Sequence, residues 1–213
     1  MSLATPPSSP VLYVASVNPG KLREFQAAAR PRGMDVRTLP RLCQIEPCVE
    51  DGDTFEANAR KKALYYSALT SEMVFADDSG ICVDALEGAP GVHSARFAGP
   101  EANDDANNQK LLEEIHRREV APSVTGRRPV SISRAAHYLC VIALAQQGRI
   151  LTVVEGRADG LIADKPRGTD GFGYDPYFFF PPLGKTFAEL TPEEKFVVSH
   201  RGEAFRKLLD FLK

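Results

Sequence analysis

The chain reads as an α/β protein built on a mixed β-sheet, and three features of its sequence point there. An apolar run, Val11-Leu12-Tyr13-Val14-Ala15, passes within one turn into a helical pattern. A second apolar run, Met73-Val74-Phe75-Ala76, follows another helical stretch, and two long β-rich runs stand late in the chain, separated only by Gln146-Gln147-Gly148. Early strand-helix units favour parallel pairing and a late hairpin favours antiparallel pairing, so both are expected in one sheet.

Taken in order, residues 1–10 carry Thr5-Pro6-Pro7-Ser8-Ser9-Pro10, which cannot build regular structure and is expected to be a flexible tail. Residues 11–15 are expected to be a strand buried on both faces. Leu22, Phe25, Gln26 and Ala29 recur at helical spacing, and Pro31 with Gly33 ends that helix. Asp53 and Glu56 are read as a capping pair for a helix over residues 54–69, which carries Asn58, Lys61 and Lys62. The strand at 73–76 is expected to deliver Asp77 and Asp78 at its C-terminal end. Leu111, Leu112 and Ile115 mark an amphipathic helix over residues 104–118, and residues 121–133 read as an exposed loop. Residues 134–145 and 149–161 form the hairpin. Thr191-Pro192-Glu193-Glu194 supplies an N-cap, a first-turn proline and an acidic third position, so a short helix starts there. A last helix over about residues 201–212 buries Ala204, Phe205, Leu208, Leu209 and Leu212. Residues 11–213 are thus expected to form one domain.

Bulk properties narrow the function. The chain has 213 residues, 43% of them apolar, which suffices for a real core without staples. A net charge of −2 argues against a sequence-independent grip on nucleic acid or on an anionic membrane. No stretch approaches the roughly 20 apolar residues of a membrane span, and residues 1–10 lack the pattern of a signal peptide, so a cytoplasmic protein is expected. Cys43, Cys48, Cys82 and Cys140 have no CxxC spacing and no neighbouring histidines, which fits reduced thiols and no zinc site.

Four polar clusters carry chemistry. Ser16-Val17-Asn18-Pro19-Gly20-Lys21 joins a strand to a helix, where backbone N–H groups, a helix N-terminus and the Lys21 ammonium can hold a phosphate. It is not a Walker A loop, since Ala15 and Leu22 occupy positions that motif reserves for Gly and Ser or Thr. By itself it is equally a helix-start turn. Asp77-Asp78-Ser79-Gly80 sets two carboxylates at a strand, a costly arrangement unless a cation such as Mg²⁺ accepts them; the plain alternative is a solvated turn. Glu50 is a further acidic candidate in a loop. Phe172-Gly173-Tyr174-Asp175 offers a ring for stacking in a glycine-rich run, or else caps the core beside Phe178, Phe179 and Phe180. Ser199-His200-Arg201 opens the last helix, where a cation opposes the dipole and needs a partner, either a bound nucleotide or a structural acid.

As an ordered set, these segments resemble the inosine triphosphate pyrophosphatase family, also called the Ham1 family. The resemblance extends from about Val11 to Leu212 and rests on 16–21, Thr54-Phe55-Glu56-Ala57-Asn58-Ala59, 76–80, Gly88-Ala89-Pro90-Gly91-Val92-His93-Ser94-Ala95-Arg96, 171–176, and Glu194-Lys195 with Ser199-His200-Arg201-Gly202. It implies a two-lobed α/β fold with a long mixed sheet, a nucleotide cleft between the lobes, a Mg²⁺ cofactor and a homodimer. The implied reaction hydrolyses ITP, dITP or XTP to the monophosphate and pyrophosphate. Carried over by motif, Ser16, Val17, Asn18, Pro19, Gly20 and Lys21 grip phosphates, Asp78 is the catalytic acid residue and a metal ligand, and Glu50 is a second metal contact. Lys62, Ser79, Arg96, Phe172, Gly173, Tyr174, Asp175, Lys195, His200 and Arg201 bind substrate. The family usually has Thr-Gly-Asn where this chain has Ser16-Val17-Asn18, and related bacterial sequences commonly carry Glu where Ala57 stands.

The residue types then suggest how such a site works. Lys21, Lys62 and Lys195 share the triphosphate charge that one Mg²⁺ leaves unneutralised, and positioning does most of the work. Arg201 offers only donors and His200 can add one, which suits a purine with a 6-carbonyl and rejects ATP by about 10⁴ or more. A Maf-type pyrophosphatase is the nearest alternative, but it is expected to begin with a Ser-x-Ser-Pro-Arg-Arg-like run. A haloacid dehalogenase-type phosphatase needs Asp-x-Asp, which Asp77-Asp78 does not provide. A nucleotide sensor without catalysis has no use for Asp78 and Lys195.

Overall fold

The computed structural model describes residues 11–120 and 133–213; the tail expected at 1–10 and all but the last residue of the loop expected at 121–133 lie outside the described residues. The elements are β1 (Val11–Val14), α1 (Pro19–Ala29), β2 (Asp35–Thr38), α2 (Phe55–Ser67), β3 (Val74–Val83) and α3 (Asp104–Val120). There follow β4 (Ala135–Gln146), β5 (Arg149–Ile162), β6 (Phe178–Phe180), β7 (Lys185–Thr186), α4 (Pro192–Val198) and α5 (His200–Phe211).

The strands form one seven-stranded sheet in the order β2-β1-β3-β4-β5-β6-β7. β1 pairs in parallel with both β2 and β3, and every later pairing is antiparallel. The mixed α/β sheet expected from the sequence is therefore borne out. The long hairpin turns at Gln147 and Gly148, whose φ values of 49° and 73° supply the left-handed pair that a two-residue turn between right-twisted strands requires.

One face of the sheet is covered by α1 and α5, where Phe25 meets Phe75 edge-on at 5.0 Å and Phe205 at 4.8 Å. The other face is covered by α2, whose Phe55, Ala59 and Ala63 pack on Ala76, Val141 and Ala143. A further apolar cluster gathers the far halves of β3, β4 and β5 with α3 and Phe178, Phe187 and Leu190. The chain leaves β1 through α1 on one face and returns through α2 on the other, with β2 and β3 on opposite sides of β1. In open α/β sheets a crevice opens at such a reversal, beyond the strand ends.

Three local expectations are corrected. Thr54, not Asp53, caps α2: its Oγ1 accepts from Ala57 N at 3.1 Å, because the cap must directly precede the first helical residue. The strand does not stop at Ala76 but runs ten residues to Val83, because β4 pairs with it along its whole length. Asp77 and Asp78 are thus mid-strand and not at its end. β1 buries Leu12 and Val14 fully but leaves Val11 and Tyr13 half-buried, so only one of its faces is sealed.

Candidate active site

The register of β1 against β3 builds the site. The last paired residues are Val14 and Phe75, so β3 continues past the end of β1 with one edge free. The turn from Ser16 to α1 fills that opening. Asn18 caps α1 with Oδ1, which accepts from Gly20 N at 2.8 Å and Lys21 N at 3.2 Å, while Ser16 Oγ accepts from Asn18 N. Val17 is exposed and is not among the described residues with positive φ, so this turn forms without the glycine usual in related sequences.

Along the free edge, the pleat sends successive side chains to opposite faces. Asp77 points toward α1 and α5. Its Oδ2 lies 2.8 Å from Lys21 Nζ and 3.8 Å from Arg201 Nε. Burial opposes its charge, but Lys21 and Arg201 overcome that and hold the carboxyl at about 2. Asp78 points toward α2, where Asn58 Nδ2 donates to Oδ2 at 3.1 Å and Lys62 Nζ lies 3.5 Å from Oδ1. Here burial prevails and pushes the Asp78 carboxyl above the ordinary range. The two carboxylates do not face each other, so the mutual repulsion inferred from their adjacency is relieved by the strand itself.

Lys62 ties Asp78 to the acidic loop, its Nζ lying 2.6 Å from Glu50 Oε2. Asn58 Oδ1 accepts from Gly52 N at 2.8 Å, fixing that loop to the same helix. Arg96 reaches Glu50 O at 3.4 Å from the exposed rim. Two carboxylates from different elements therefore converge on one cation. Among the described residues no group of three or more His, Cys, Asp and Glu side chains is placed to hold a metal. This donor set suits a hard ion that keeps waters and takes further oxygens from a phosphate, as Mg²⁺ does.

At the other end, α5 begins with Ser199 as N-cap and buries His200 and Arg201, each 2% exposed. The partner required for Arg201 is Glu24, a buried residue of α1 that sequence reasoning missed. Arg201 Nη1 donates to Glu24 Oε2 at 2.7 Å, and Nη2 donates to Ser79 Oγ at 3.1 Å. Glu24 also faces Lys195 at 3.2 Å, and Lys195 Nζ donates to Asp175 Oδ2 at 2.6 Å. Burial works against the Glu24 charge, yet the two cations together keep its carboxyl below the usual range. The spacing Lys21, Glu24, Phe25 on one helix face was the available signal for it, since a carboxylate beside a core phenylalanine calls for a cation.

The ring of His200 stacks on Tyr138 at 4.5 Å with planes 6° apart. Burial, with Arg201 and Lys195 nearby, lowers its pKa well below the ordinary histidine value, so the ring is neutral at pH 7 with one donor and one acceptor. His200 Nδ1 and Arg201 Nε are buried without a hydrogen-bond partner among the described residues. Lys195 Nζ and Arg201 Cζ lie over the Phe172 ring at 4.7 and 5.3 Å. The 172–175 turn is held by Asp175, which accepts from Phe172 N, and by Asp104, which accepts from Gly173 N at 2.7 Å. Tyr174 is a core residue whose hydroxyl donates to Ser94 O at 2.8 Å.

Two cavities result. One, of about 250 Å³, is lined by Phe172, Gly173, Tyr174, Asp175, Lys195, His200 and Arg201. The other, of about 460 Å³, is lined by Ser16, Val17, Glu50, Lys62, Asp77, Asp78 and Arg96. Asn18, Lys21 and Ser79 line both, so the two cavities adjoin there. Every residue selected from the sequence borders this cleft except Pro19 and Gly20, which shape the turn behind it. Sequence reasoning missed Glu24 and Tyr138, and it did not see the work of Asn58.

The chain is similar to known proteins over nearly its whole length. Residues 12–211 match the Ham1 family. A dITP/XTP pyrophosphatase of an Exiguobacterium species is 45% identical over 197 residues, covering 92% of this chain and 94% of that protein. The Bacillus subtilis dITP/XTP pyrophosphatase is 42% identical over 200 residues, with 94% and 96% coverage. Among solved structures, a HAM1 protein from Coxiella burnetii superposes with a TM-score of 0.80 at 37% identity, covering 95% and 98% of the two chains. A dITP/XTP pyrophosphatase from Mycobacterium abscessus gives a TM-score of 0.68 at 40% identity, with 93% and 98% coverage.

Proposed function

The chain belongs to the Ham1 family, and from that premise we propose that it hydrolyses the non-canonical purine triphosphates ITP, dITP and XTP to monophosphate and pyrophosphate with Mg²⁺. One observation carries the reading at this chain's own residues. A cavity walled by buried donors and an aromatic ring shares Asn18, Lys21 and Ser79 with a second cavity lined by Asp78, Glu50 and Lys62. The first suits a base and the second a triphosphate.

In this reading the base lies against Phe172, with His200 supplying a donor for a 6-carbonyl; Lys195, expected from the sequence to share the triphosphate charge, lines the base-side cavity instead, paired with Asp175 and Glu24. Arg201, held by Glu24 and Ser79 through its two Nη atoms, keeps its Nε–H without a hydrogen-bond partner among the described residues and, having donors only, suits a carbonyl and not an amine. Lys21 and Lys62 take up phosphate charge. Glu50 and Asp78 hold Mg²⁺, which when bound neutralises phosphate charge and polarises the phosphate oxygens. Asp78, whose carboxylate lines the phosphate-side cavity, is the group placed to accept a proton from water attacking the α-phosphorus. Asn58 keeps that carboxylate aimed into the cleft.

We propose further that it acts as a homodimer in the cytoplasm, as the resemblance implies. No described helix is long and apolar enough to cross a membrane. The test is a panel of ITP, dITP, XTP, GTP and ATP incubated with Mg²⁺ and the protein. Pyrophosphate from the first three, with little from GTP and ATP, is expected. Orthophosphate as the product, or equal turnover of all five, overturns the proposal.

A further inference from the structure

Asp77 belongs to neither group of roles assigned above, yet it occupies the junction between them. Its side chain is 1% exposed, and a single oxygen, Oδ2, faces Lys21 Nζ at 2.8 Å, Ser79 Oγ at 3.4 Å and Arg201 Nε at 3.8 Å. Arg201 Nε has no other partner among the described residues, and Ser79 Oγ accepts from Arg201 Nη2. Lys21 is the cation on the phosphate side and Arg201 the cation on the base side. No other carboxylate among the described residues forms an ion pair with both of them.

We propose that Asp77 is a positioning residue which couples recognition of the base at Arg201 to the grip of Lys21 on the phosphates. The inference rests on the functional reading above and deepens it. One carboxylate oxygen shared between two cations compensates neither of them fully. When a phosphate draws the Lys21 ammonium off Asp77, the carboxylate turns its charge wholly to Arg201 and fixes it. When a base of the right pattern fixes Arg201, Lys21 is in turn released toward the phosphates. Each event lowers the cost of the other, and the coupling is reciprocal, as linkage demands. A base that leaves Arg201 unseated therefore lowers turnover as well as affinity, because the triphosphate is held off its reactive position.

The experiment is steady-state kinetics of pyrophosphate release from ITP and ATP by wild type, Asp77→Asn, Asp77→Glu and Arg201→Lys. Asp77→Asn keeps the shape and loses the charge. Its ITP-to-ATP ratio of kcat is expected to shrink by about tenfold, within the roughly 5- to 150-fold range of coupled sites, while the ratio of KM holds within about twofold. Asp77→Glu, which restores the charge, is expected to recover most of the kcat ratio. Arg201→Lys keeps a cation for Glu24 but removes the Nε–H facing Asp77, and is expected to lower kcat for ITP together with its affinity. This variant tests the coupling even if Asp77→Asn does not fold. Equal losses for ITP and ATP in Asp77→Asn, no recovery in Asp77→Glu, or a pure KM effect in Arg201→Lys each overturns the coupling. A wild type that releases no pyrophosphate from either nucleotide instead overturns the functional reading, so the two failures are told apart.

Discussion

Asp77 and Asp78 are consecutive residues that serve opposite faces of β3: Asp77 meets Lys21 at 2.8 Å beside α1, and Asp78 accepts from Asn58 at 3.1 Å beside α2. Their substitutions should therefore separate. Asp78→Asn is expected to cut pyrophosphate release by about 10²–10⁴, the usual range for a positioned acid-base group, while stability in urea is equal or higher because a buried charge has been removed. Near-normal turnover in Asp78→Asn would remove its proposed catalytic role.

Glu24→Gln should be costly to the fold. Glu24 faces both Lys195 and Arg201 in a buried setting, and breaking such a network by deleting one partner leaves uncompensated charge worth about 3–5 kcal/mol. Urea denaturation is the measurement. A loss below about 1 kcal/mol, the size of an exposed pair, would show that water screens this cluster.

His200 gives a signed pH dependence. Its folded pKa lies well below 6.5 because of burial and the cations Arg201 and Lys195. Below about pH 6.5 the unfolded chain takes up a proton at this site that the folded protein refuses, so stability falls on acidification by up to about 1.4 kcal/mol per pH unit. His200→Phe keeps a ring against Tyr138 and should flatten the slope of unfolding free energy between about pH 6.5 and 5 relative to wild type. An unchanged slope would mean that His200 titrates normally in the folded state.

Lys62 occupies the approach to the proposed metal ligands, 2.6 Å from Glu50 and 3.5 Å from Asp78. Lys62→Met should bind Mn²⁺ in the absence of nucleotide about tenfold more tightly than wild type, since like-charge repulsion is gone, while its KM for ITP rises. Electron paramagnetic resonance titration of free Mn²⁺ reads the first effect directly. Equal Mn²⁺ affinity in the two proteins would place the metal elsewhere.

Much of this was legible in the residues. β1, α1, the late hairpin and the helices opening at Thr191 and Ser199 follow from apolar spacing and cap chemistry, which are local. The length of β3 was not, because Asp77, Asp78, Ser79 and Gly80 break the apolar pattern after Ala76 and continue the strand only through their pairing with β4. The short strands β2, β6 and β7 escaped for the same reason, each being held mainly by its neighbours.

In the site, motif residues were found but their supports were not. Glu24 is 177 positions from Arg201, and Tyr138 lies in a strand whose pattern says only that it is buried. Gly156 shows the limit well. A Cβ there would collide with the backbone of His200 and Ala204, so this strand glycine lets α5 seat its first turn against the sheet. Gly156→Ala should cost about 1–3 kcal/mol in urea denaturation and weaken base selectivity together.

The central claim is that base and triphosphate lie in one continuous cleft, with water attacking at the α-phosphorus beside Asp78. Hydrolysis of ITP in ¹⁸O-labelled water, with mass analysis of the products, tests it most directly. The label should appear in IMP and not in pyrophosphate. Label in pyrophosphate, or release of IDP with labelled orthophosphate, would contradict the account.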